Sequence, residues 1–193
     1  MTRVRPATEE DLAAVNRLYN AELATTTVTW RDDPMSMAEC RAWFADRQAR
    51  GHPVLVAERA HHVGAAPGAA GSVEVGRDPS DRTVVAFAAW KEFRGVGLSG
   101  YRHTVEHTIH VDEDHRGVGV GGALLAALID EARRRGDIHV MVGAVDAANT
   151  ASLAFHGSMG FTEVARMPEV GRKFDRWLDR DATPAELVQR IIT

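Results

Sequence analysis

Apolar residues recur along the chain at two spacings, three to four residues in some stretches and two residues in others. From Leu12 onward the spacing is helical and follows a threonine N-cap with an acidic first turn. Ser36 and Glu39 have the spacing of a capping box and predict a second helix over residues 36–50. Residues 25–30 between them, TTTVTW, are rich in β-branched side chains, which lose rotamer freedom in a helix. We expect an extended loop there.

Further stretches have the apolar character or the alternation of strands. They comprise residues 2–5, 53–57, 84–91, 104–111 and 139–145. Residues 60–82 are rich in Gly, Ala and Pro without any period and predict a long connection between strands. A short helix over residues 149–159 closes at Gly160, and two last strands follow at residues 161–170 and 173–178. Strands separated by single helices indicate a mixed α/β sheet wrapped by about four helices.

The end of the chain predicts a peripheral element. Pro184 suits the first position of a helix, so we expect a C-terminal tail or helix over residues 181–193. Residues 1–180 then form one globular domain, because a chain of 193 residues that is 45% hydrophobic can bury a sizeable core.

Charge and cysteine content narrow the range of partners. The net charge is only −4 and the charges are scattered, so no basic face indicates nucleic acid or an anionic membrane. The N-terminus lacks the apolar stretch of a signal peptide, and no apolar run approaches about 18 residues, so we expect a cytoplasmic protein. Cys40 is the only cysteine, which excludes an internal disulfide framework and a thiolate metal cluster. We expect it to be buried, we expect no metal, and we expect small molecules or another protein as partners.

Residues 104–135 organise the rest of the chain as a strand, a glycine-rich turn and an amphipathic helix. On the strand, apolar residues alternate with Thr104, Glu106, Thr108 and His110, which therefore share one polar face. Glu106 and His110 lie about 13 Å apart at roughly 3.3 Å per residue, so they can line one cleft without touching. A strand that only faces solvent has the same pattern, and this alternative stays open.

The turn RGVGVGG starts at Arg116 and runs into an apolar helix. Glycines let successive N–H groups converge on an anion, and the helix dipole adds its positive end, so the turn predicts a pyrophosphate cradle. Gly117, Gly119 and Gly122 also satisfy the G-x-G-x-x-G spacing of dinucleotide-binding proteins. That interpretation is weaker, because the preceding strand alternates and the next strand-end acid, Asp146, lies beyond the roughly 20 residues expected. A P-loop is excluded because no Lys-Ser/Thr pair follows the glycines.

Arg116-x-x-Gly119-x-Gly121, between a strand and a helix, resembles motif A (Q/R-x-x-G-x-G/A) of the GNAT superfamily of N-acetyltransferases. Other segments resemble its phosphinothricin and methionine sulfoximine acetyltransferase branch, namely residues 101–107, 139–142, 149–152, 160–161 and 168–178. The resemblance implies a GNAT fold, with a largely antiparallel twisted sheet of about six to seven strands surrounded by about four helices. It also implies acetyl-CoA as cosubstrate, a small-molecule amine as acceptor and a homodimer.

By that resemblance, the acceptor is amino-acid-like, such as phosphinothricin, methionine sulfoximine or methionine sulfone, and is acetylated by direct attack. Two alternatives stay open. One is acetylation of another amine, such as a protein N-terminus, a polyamine or an antibiotic, and the other is binding of CoA without turnover. The sequence departs from the branch at His110, where tyrosine is usual, and in the length of residues 60–82. These departures concern acceptor identity and dimer packing more than cofactor binding.

The resemblance also implies which residues meet the cofactor. The strand over residues 109–111 would pair with the pantetheine arm, the glycine turn would hold the pyrophosphate, and His156 would stand near the thiol end. The expected cofactor contacts are Ile109, His110, Val111, Arg116, Gly117, Val118, Gly119, Val120, Gly121, Gly122, Asn149 and Ser152.

The reaction needs a base, because an ammonium group cannot attack a thioester until it loses a proton. We assign this role to Glu106, directly or through water, and we consider His156 or water as the acid for the departing thiolate. No cysteine is placed to carry the acyl group, which favours direct transfer. A strand N–H near Val111 would stabilise the oxyanion if the strand pairing opens there. A carboxylate fork and an aromatic wall for the acceptor are expected from Thr27, Trp30, Arg102 and Thr104.

Overall fold

The computed structural model describes residues 1–23, 26–60, 82–95, 97–177 and 185–192. Its α-helices are α1 (Leu12–Ala21), α2 (Met37–Ala49), α3 (Val120–Arg135) and α4 (Thr150–Ser158). The first six strands are β1 (Thr2–Pro6), β2 (Val54–Ala60), β3 (Arg82–Glu92), β4 (Thr104–Val111), β5 (Val140–Asp146) and β6 (Thr162–Met167). The last three are β7 (Arg172–Lys173), β8 (Arg176–Trp177) and β9 (Ala185–Ile191). No helix in these ranges is both long and apolar enough to cross a membrane.

Seven of the strands form one sheet in the order β1-β2-β3-β4-β5-β9-β6, and β7 pairs with β8 in a separate ribbon. Neighbours in the large sheet run antiparallel, except that β4 and β5 are parallel. The predicted mixed α/β architecture with a largely antiparallel sheet is thus confirmed. The parallel pairing joins Thr104, Val105 and Glu106 to β5 and then stops. A gap therefore opens between β4 and β5 beyond Glu106, and it leaves backbone N–H groups on this side of β4 without a strand partner.

Each face of the sheet carries a helical layer. The core under α1 and α2 includes Val15, Phe44 and Phe87, and the core under α3 includes Leu124 and Trp90. Cys40 belongs to the first core and is fully buried. Burial raises the pKa of its thiol, so this cysteine is a structural residue, as predicted.

Helix N-termini differ in how their backbone donors are satisfied. The predicted capping box of α2 is present, with Ser36 Oγ accepting from the backbone N of Glu39 at 3.2 Å. Asn149 caps α4, and its Oδ1 accepts from the backbone N of Ser152 at 3.0 Å. α3 begins after Gly119, whose φ of 85° lies in the left-handed region, and no described side chain caps its first turn. The first N–H groups of α3 therefore remain available to a ligand.

The prediction of a peripheral helix at the C-terminus is wrong for residues 185–191. This segment is β9, which lies inside the sheet and pairs with β5 on one side and β6 on the other. Its Val188 is buried against the core that α3 covers. The free edges of β5 and β6 provide a ladder of backbone partners, and this long-range pairing outweighs the local helix signal of Pro184.

The single strand predicted over residues 173–178 is interrupted within residues 173–177, the part of it that the structure describes. Phe174 and Asp175 have φ values of 54° and 56°, so the chain turns back between β7 and β8. Most of the predicted connection over residues 60–82 lies outside the described residues, as do residues 178–184.

Candidate active site

Three cavities lie in series along the gap between β4 and β5, and Val28 lines all three. The glycine cavity, about 510 Å³, lies at the N-terminus of α3. The carboxylate cavity, about 400 Å³, lies beside α2 and contains Glu106. A cavity of about 70 Å³, which we call the neck, separates them. Besides Val28, the neck shares Ile109, Asn149 and Ser152 with the glycine cavity and His107, Thr108 and Ala144 with the carboxylate cavity.

The glycine cavity brings together most of the predicted cofactor contacts. Those in its wall are Ile109, Val111, Arg116, Gly117, Gly119, Gly121, Gly122, Asn149 and Ser152. Gly117 and Gly119 have φ values of 73° and 85°, which residues with a Cβ rarely adopt. A Cβ added at Gly122 would meet no atom within 4 Å, so the first turn of α3 presents backbone to open space. Uncapped N–H groups at the positive end of a helix dipole are suited to bind a pyrophosphate.

Three predicted cofactor contacts place no side chain in the glycine cavity. Val120 is 1% exposed in the core beside Leu124, whereas Val118 is 56% exposed and lines none of the three cavities. The ring of His110 lies in the carboxylate cavity instead. Only the backbone groups of these residues can meet a ligand in the glycine cavity.

An ion pair forms part of the glycine cavity. Arg116 donates through Nε to the carbonyl of Val111 at 3.2 Å, and its guanidinium pairs with the carboxylate of Glu22. Burial raises the pKa of Glu22, and Arg116 opposes that shift. Sequence reasoning missed Glu22, because the two partners are 94 residues apart and nothing local connects them.

His156 lies in the wall of the neck and is 3% exposed. Its Nδ1 is 2.7 Å from the carbonyl oxygen of Ser152, so Nδ1 carries the hydrogen and donates it. Burial lowers the pKa of the imidazole, which is neutral near pH 7. Nε2 is therefore an acceptor, and it has no partner among the described residues. The ring can accept a hydrogen bond at Nε2, but it has no proton there to give.

His107 stacks on His156 with ring centroids 5.1 Å apart. Burial, reinforced by His156, lowers the pKa of His107 to about 3. A Cβ built on Gly143 would lie 2.9 Å from His107 Nε2, so only glycine leaves room for this ring at the neck. Gly143 was not singled out from the sequence, because its neighbour across the gap is set by strand pairing.

Residues 26–30, the roof loop, cover the neck and the carboxylate cavity and are attached at several points. Thr27 Oγ1 is hydrogen-bonded to the carboxylate of Asp146 at the end of β5. Trp30 donates through Nε1 to the carbonyl of Thr27 at 3.0 Å, and its ring packs against Gly171. Lys173 is 2% exposed, and its ammonium donates to the carbonyls of residues 26 and 29 at 2.8 and 2.6 Å. Thr27 lines the neck and Trp30 lines the carboxylate cavity.

The carboxylate cavity contains the predicted base. The side chain of Glu106 is 28% exposed, and its Oε2 lies 3.3 Å from Lys91 Nζ. These two residues are direct cross-strand partners on β3 and β4. Sequence reasoning did not single out Lys91, since its position opposite Glu106 follows only from the register of the two strands.

His110 and aromatic side chains complete this cavity. The His110 ring stacks on Phe87 with centroids 4.9 Å apart, and its Nε2 is 3.1 Å from Thr108 Oγ1. Burial, and to a lesser extent the positive charge of Arg116, lowers the pKa of His110 to about 4. The cavity is thus lined by a neutral imidazole and, around it, by Tyr19, Trp30 and Trp43.

Two predicted acceptor contacts lie outside the cavities. Arg102 is exposed and donates to the carbonyl of Ser99 at 3.0 Å, and Thr104 lies at the start of β4. Neither residue lines any of the three cavities. The guanidinium in the carboxylate cavity belongs to Arg47 of α2 instead. A sequence signal for it existed, because Arg47 follows Trp43 by one helical turn and so shares its helix face.

Comparisons with known proteins identify a family for the chain. Residues 15–161 match the family model described as the acetyltransferase (GNAT) family. The L-amino acid N-acyltransferase MnaT of Escherichia coli (strain K12) is 39% identical over 187 residues, which cover 97% of this chain and 95% of that protein. An L-methionine sulfoximine/L-methionine sulfone acetyltransferase of Salmonella typhimurium is 40% identical over 176 residues, covering 91% of this chain and 89% of that protein.

More distant relatives and solved structures agree with these matches. A phosphinothricin N-acetyltransferase of Alcaligenes faecalis is 30% identical, covering 91% of this chain and 78% of that protein. The structure of an acetyltransferase from Salmonella typhimurium with its cofactor acetyl-CoA has a TM-score of 0.79 and 34% identity, covering 100% of this chain and 94% of the other. The resemblance that motif A predicted is confirmed.

Proposed function

The chain belongs to the acetyltransferase (GNAT) family, and on that basis we propose that it acetylates the α-amine of a small amino-acid-like molecule. It is an N-acetyltransferase with acetyl-CoA as cosubstrate. The acceptors we propose are methionine sulfoximine, methionine sulfone and phosphinothricin, which are the compounds named for its relatives.

One observation carries the proposal: a backbone anion cradle and a carboxylate lie on opposite sides of one neck. The N–H groups of residues 119–122 would hold the pyrophosphate, and Ile109, Val111 and Ser152 would flank the pantetheine arm. Bound acetyl-CoA supplies a thioester carbonyl that is open to attack by an amine. The small volume of the neck suits an acetyl group and an amine, and it admits little water.

Glu106 prepares the acceptor for attack. Lys91 engages its Oε2, and we assign proton acceptance from the acceptor ammonium to Oε1, directly or through one water. The freed amine then attacks the thioester carbonyl carbon. Negative charge that develops on the carbonyl oxygen is stabilised by a backbone N–H of β4 near Val111, on the side of the strand where pairing with β5 has ended.

Transfer is direct and involves no acyl-enzyme. Cys40 is buried in the core under α1 and α2 and lines none of the three cavities. As the C–S bond of the tetrahedral adduct breaks, the nitrogen gives up its second proton to water and the departing thiolate takes a proton from water, since His156 lacks a proton at Nε2. His156 orders the wall of the neck through Ser152.

We also propose that the enzyme acts in the cytoplasm as a homodimer. Apolar side chains exposed on and beside the β7–β8 ribbon support self-association. They include Val170, Phe174 and Trp177, which are 47%, 47% and 45% exposed.

Release of free CoA from acetyl-CoA tests the proposed function. The acceptors are methionine sulfone, methionine sulfoximine and phosphinothricin, run beside spermidine, an aminoglycoside and a short peptide. N-acetyl-methionine sulfone, which has no free amine, is the control for hydrolysis. We expect turnover with the first three only. Turnover confined to the polyamine, the aminoglycoside or the peptide, or tight acetyl-CoA binding with no product from any acceptor, would contradict the proposal.

A further inference from the structure

The position of Arg47, partly buried in the wall of the carboxylate cavity, is not explained by a surface salt bridge. Its side chain is 13% exposed, lies over the ring of Trp43 at 5.7 Å and lines the carboxylate cavity with Glu106. Among the described residues it makes one hydrogen bond, from Nη1 to Asp46 at 2.8 Å. The same carboxylate also accepts from Arg50 at 2.7 Å, so one anion serves two guanidinium groups.

Most N–H donors of the Arg47 guanidinium have no hydrogen-bond partner among the described residues, and the group lies in the wall of the carboxylate cavity. Burial lowers its pKa, but the guanidinium of an arginine stays charged around neutral pH. A guanidinium offers five N–H donors in a planar fork that matches both oxygens of a carboxylate. Because a half-satisfied buried cation is costly, a ligand carboxylate at this position would be bound strongly.

The other cation in the cavity is less suited to this task. Lys91 is 50% exposed and already forms an ion pair with Glu106. A lysine also lacks the fork that fixes the orientation of a carboxylate. Arg102, the residue expected from the sequence, lies outside the cavity.

We propose that Arg47 binds the α-carboxylate of the acceptor amino acid, an assignment that rests on the proposed acetyl transfer. The cavity then recognises each part of the acceptor with a different group. Arg47 meets the carboxylate, Glu106 meets the ammonium, and Trp30, Trp43 and Tyr19 enclose the side chain. The acceptors selected are free α-amino acids, while amines without a neighbouring carboxylate are excluded.

The test pairs a substitution with a change in the acceptor. Methionine sulfone and its carboxamide are compared as acceptors for the wild type, Arg47→Gln and Arg47→Lys. In Arg47→Gln we expect the KM for methionine sulfone to rise roughly 10- to 100-fold, the effect of losing a charged hydrogen-bond partner. The KM for the carboxamide, high already in the wild type, should change less than about threefold, and Arg47→Lys should recover part of the loss for methionine sulfone.

Arg50→Gln is the matched control, because Arg50 shares Asp46 with Arg47 but lies outside the cavity wall. It should leave both KM values unchanged, and the KM for acetyl-CoA should stay constant in all variants. An equal loss for the acid and the amide in Arg47→Gln would overturn the assignment in favour of a structural role, as would no loss at all. Wild-type protein that acetylates neither acceptor would overturn the proposed function as well, so the two failures can be told apart.

Discussion

The glycine cavity and the carboxylate cavity open onto the same neck, but they present different kinds of group to a ligand. The first is walled by apolar side chains and by the uncapped backbone of α3, with one ion pair between Arg116 and Glu22. The second gathers charged and aromatic side chains from α1, α2, β3 and β4. Backbone donors survive most substitutions, whereas side chains do not. With the roles proposed for the two cavities, cofactor binding would depend on chain geometry, while the choice of acceptor would be open to change at single positions.

The largest effect is expected from Glu106→Gln, which removes the proposed base and leaves the glycine cavity untouched. We expect kcat for methionine sulfone to fall about 10²–10⁴-fold at neutral pH, the usual contribution of a general base. Binding of acetyl-CoA, measured by calorimetry, should be unchanged. Glu92→Gln is the control, since Glu92 is on the neighbouring strand with the same 28% exposed side chain but lines none of the cavities. Full activity of Glu106→Gln would show that this carboxylate has no chemical role and would contradict its assignment as the base.

The buried histidines of the neck and the carboxylate cavity make the free energy of unfolding depend on pH. The pKa values of His107 and His110 are lowered to about 3 and about 4, below the roughly 6.5 of an unfolded histidine. Between pH 6.5 and 4 the unfolded state thus binds more protons, so the free energy of unfolding falls as the pH falls. The expected loss is about 2 kcal/mol per histidine by pH 5.

Urea denaturation of the wild type and His110→Phe at pH 7 and pH 5 checks this dependence. Phenylalanine keeps the stacking on Phe87 but cannot titrate. The variant should lose about 2 kcal/mol less than the wild type over this pH interval. Equal losses in the two proteins would show that His110 is not held neutral by burial.

Lys173→Met should weaken the roof loop. It removes the donors to the carbonyls of Thr26 and Thr29, which lowers the free energy of unfolding by about 1–3 kcal/mol. The KM for the acceptor should rise more than the KM for acetyl-CoA, because Thr29 and Trp30 line only the carboxylate cavity. The control is Arg172→Met at the exposed neighbouring position, with initial rates measured for both substrates. Equal rises in the two KM values would mean that the roof loop affects the binding of the acceptor and of acetyl-CoA alike.

The smallest effect is expected from alanine substitutions at the two ends of α3. Gly119 and Gly136 have φ values of 85° and 71°, so alanine at either position costs about 1 kcal/mol of backbone strain. Only Gly119→Ala should raise the Kd of acetyl-CoA, by roughly fivefold, because relaxation of its strain moves the N–H groups of the cradle. Thermal unfolding and calorimetric titration of both variants measure the two effects. A similar loss of affinity in Gly136→Ala would show that helix stability, not the cradle, sets the affinity.

The sequence predicted best those parts of the site that local geometry determines. The strand alternation placed Glu106 and His110 on one face, and both line the carboxylate cavity. The glycine spacing predicted a tight turn before α3, where Gly119 has a left-handed backbone, and the cap at Asn149 lies where the short helix was expected to begin. Each of these features depends on residues within one helical turn or one strand.

Features that depend on contacts between distant segments could not be predicted. β9 occupies its place because β5 and β6 both have edges to pair, and no local pattern reveals this. The attachment of Lys173 to the roof loop and the opposition of Lys91 to Glu106 follow from tertiary packing and register. The carboxylate cavity is lined by residues of five helices and strands and of the roof loop, so it was the part of the site that the sequence predicted least well.

The most direct test is a crystal structure of the protein with CoA and methionine sulfone bound together. We expect the CoA pyrophosphate on the N–H groups at the start of α3 and the acceptor in the carboxylate cavity. The acceptor amine should lie within hydrogen-bond distance of Glu106 or of one bridging water, and its carboxylate should meet Arg47. An acceptor bound outside that cavity, for example beside Arg102, or a pyrophosphate away from residues 117–122, would contradict the division of the site into these two cavities.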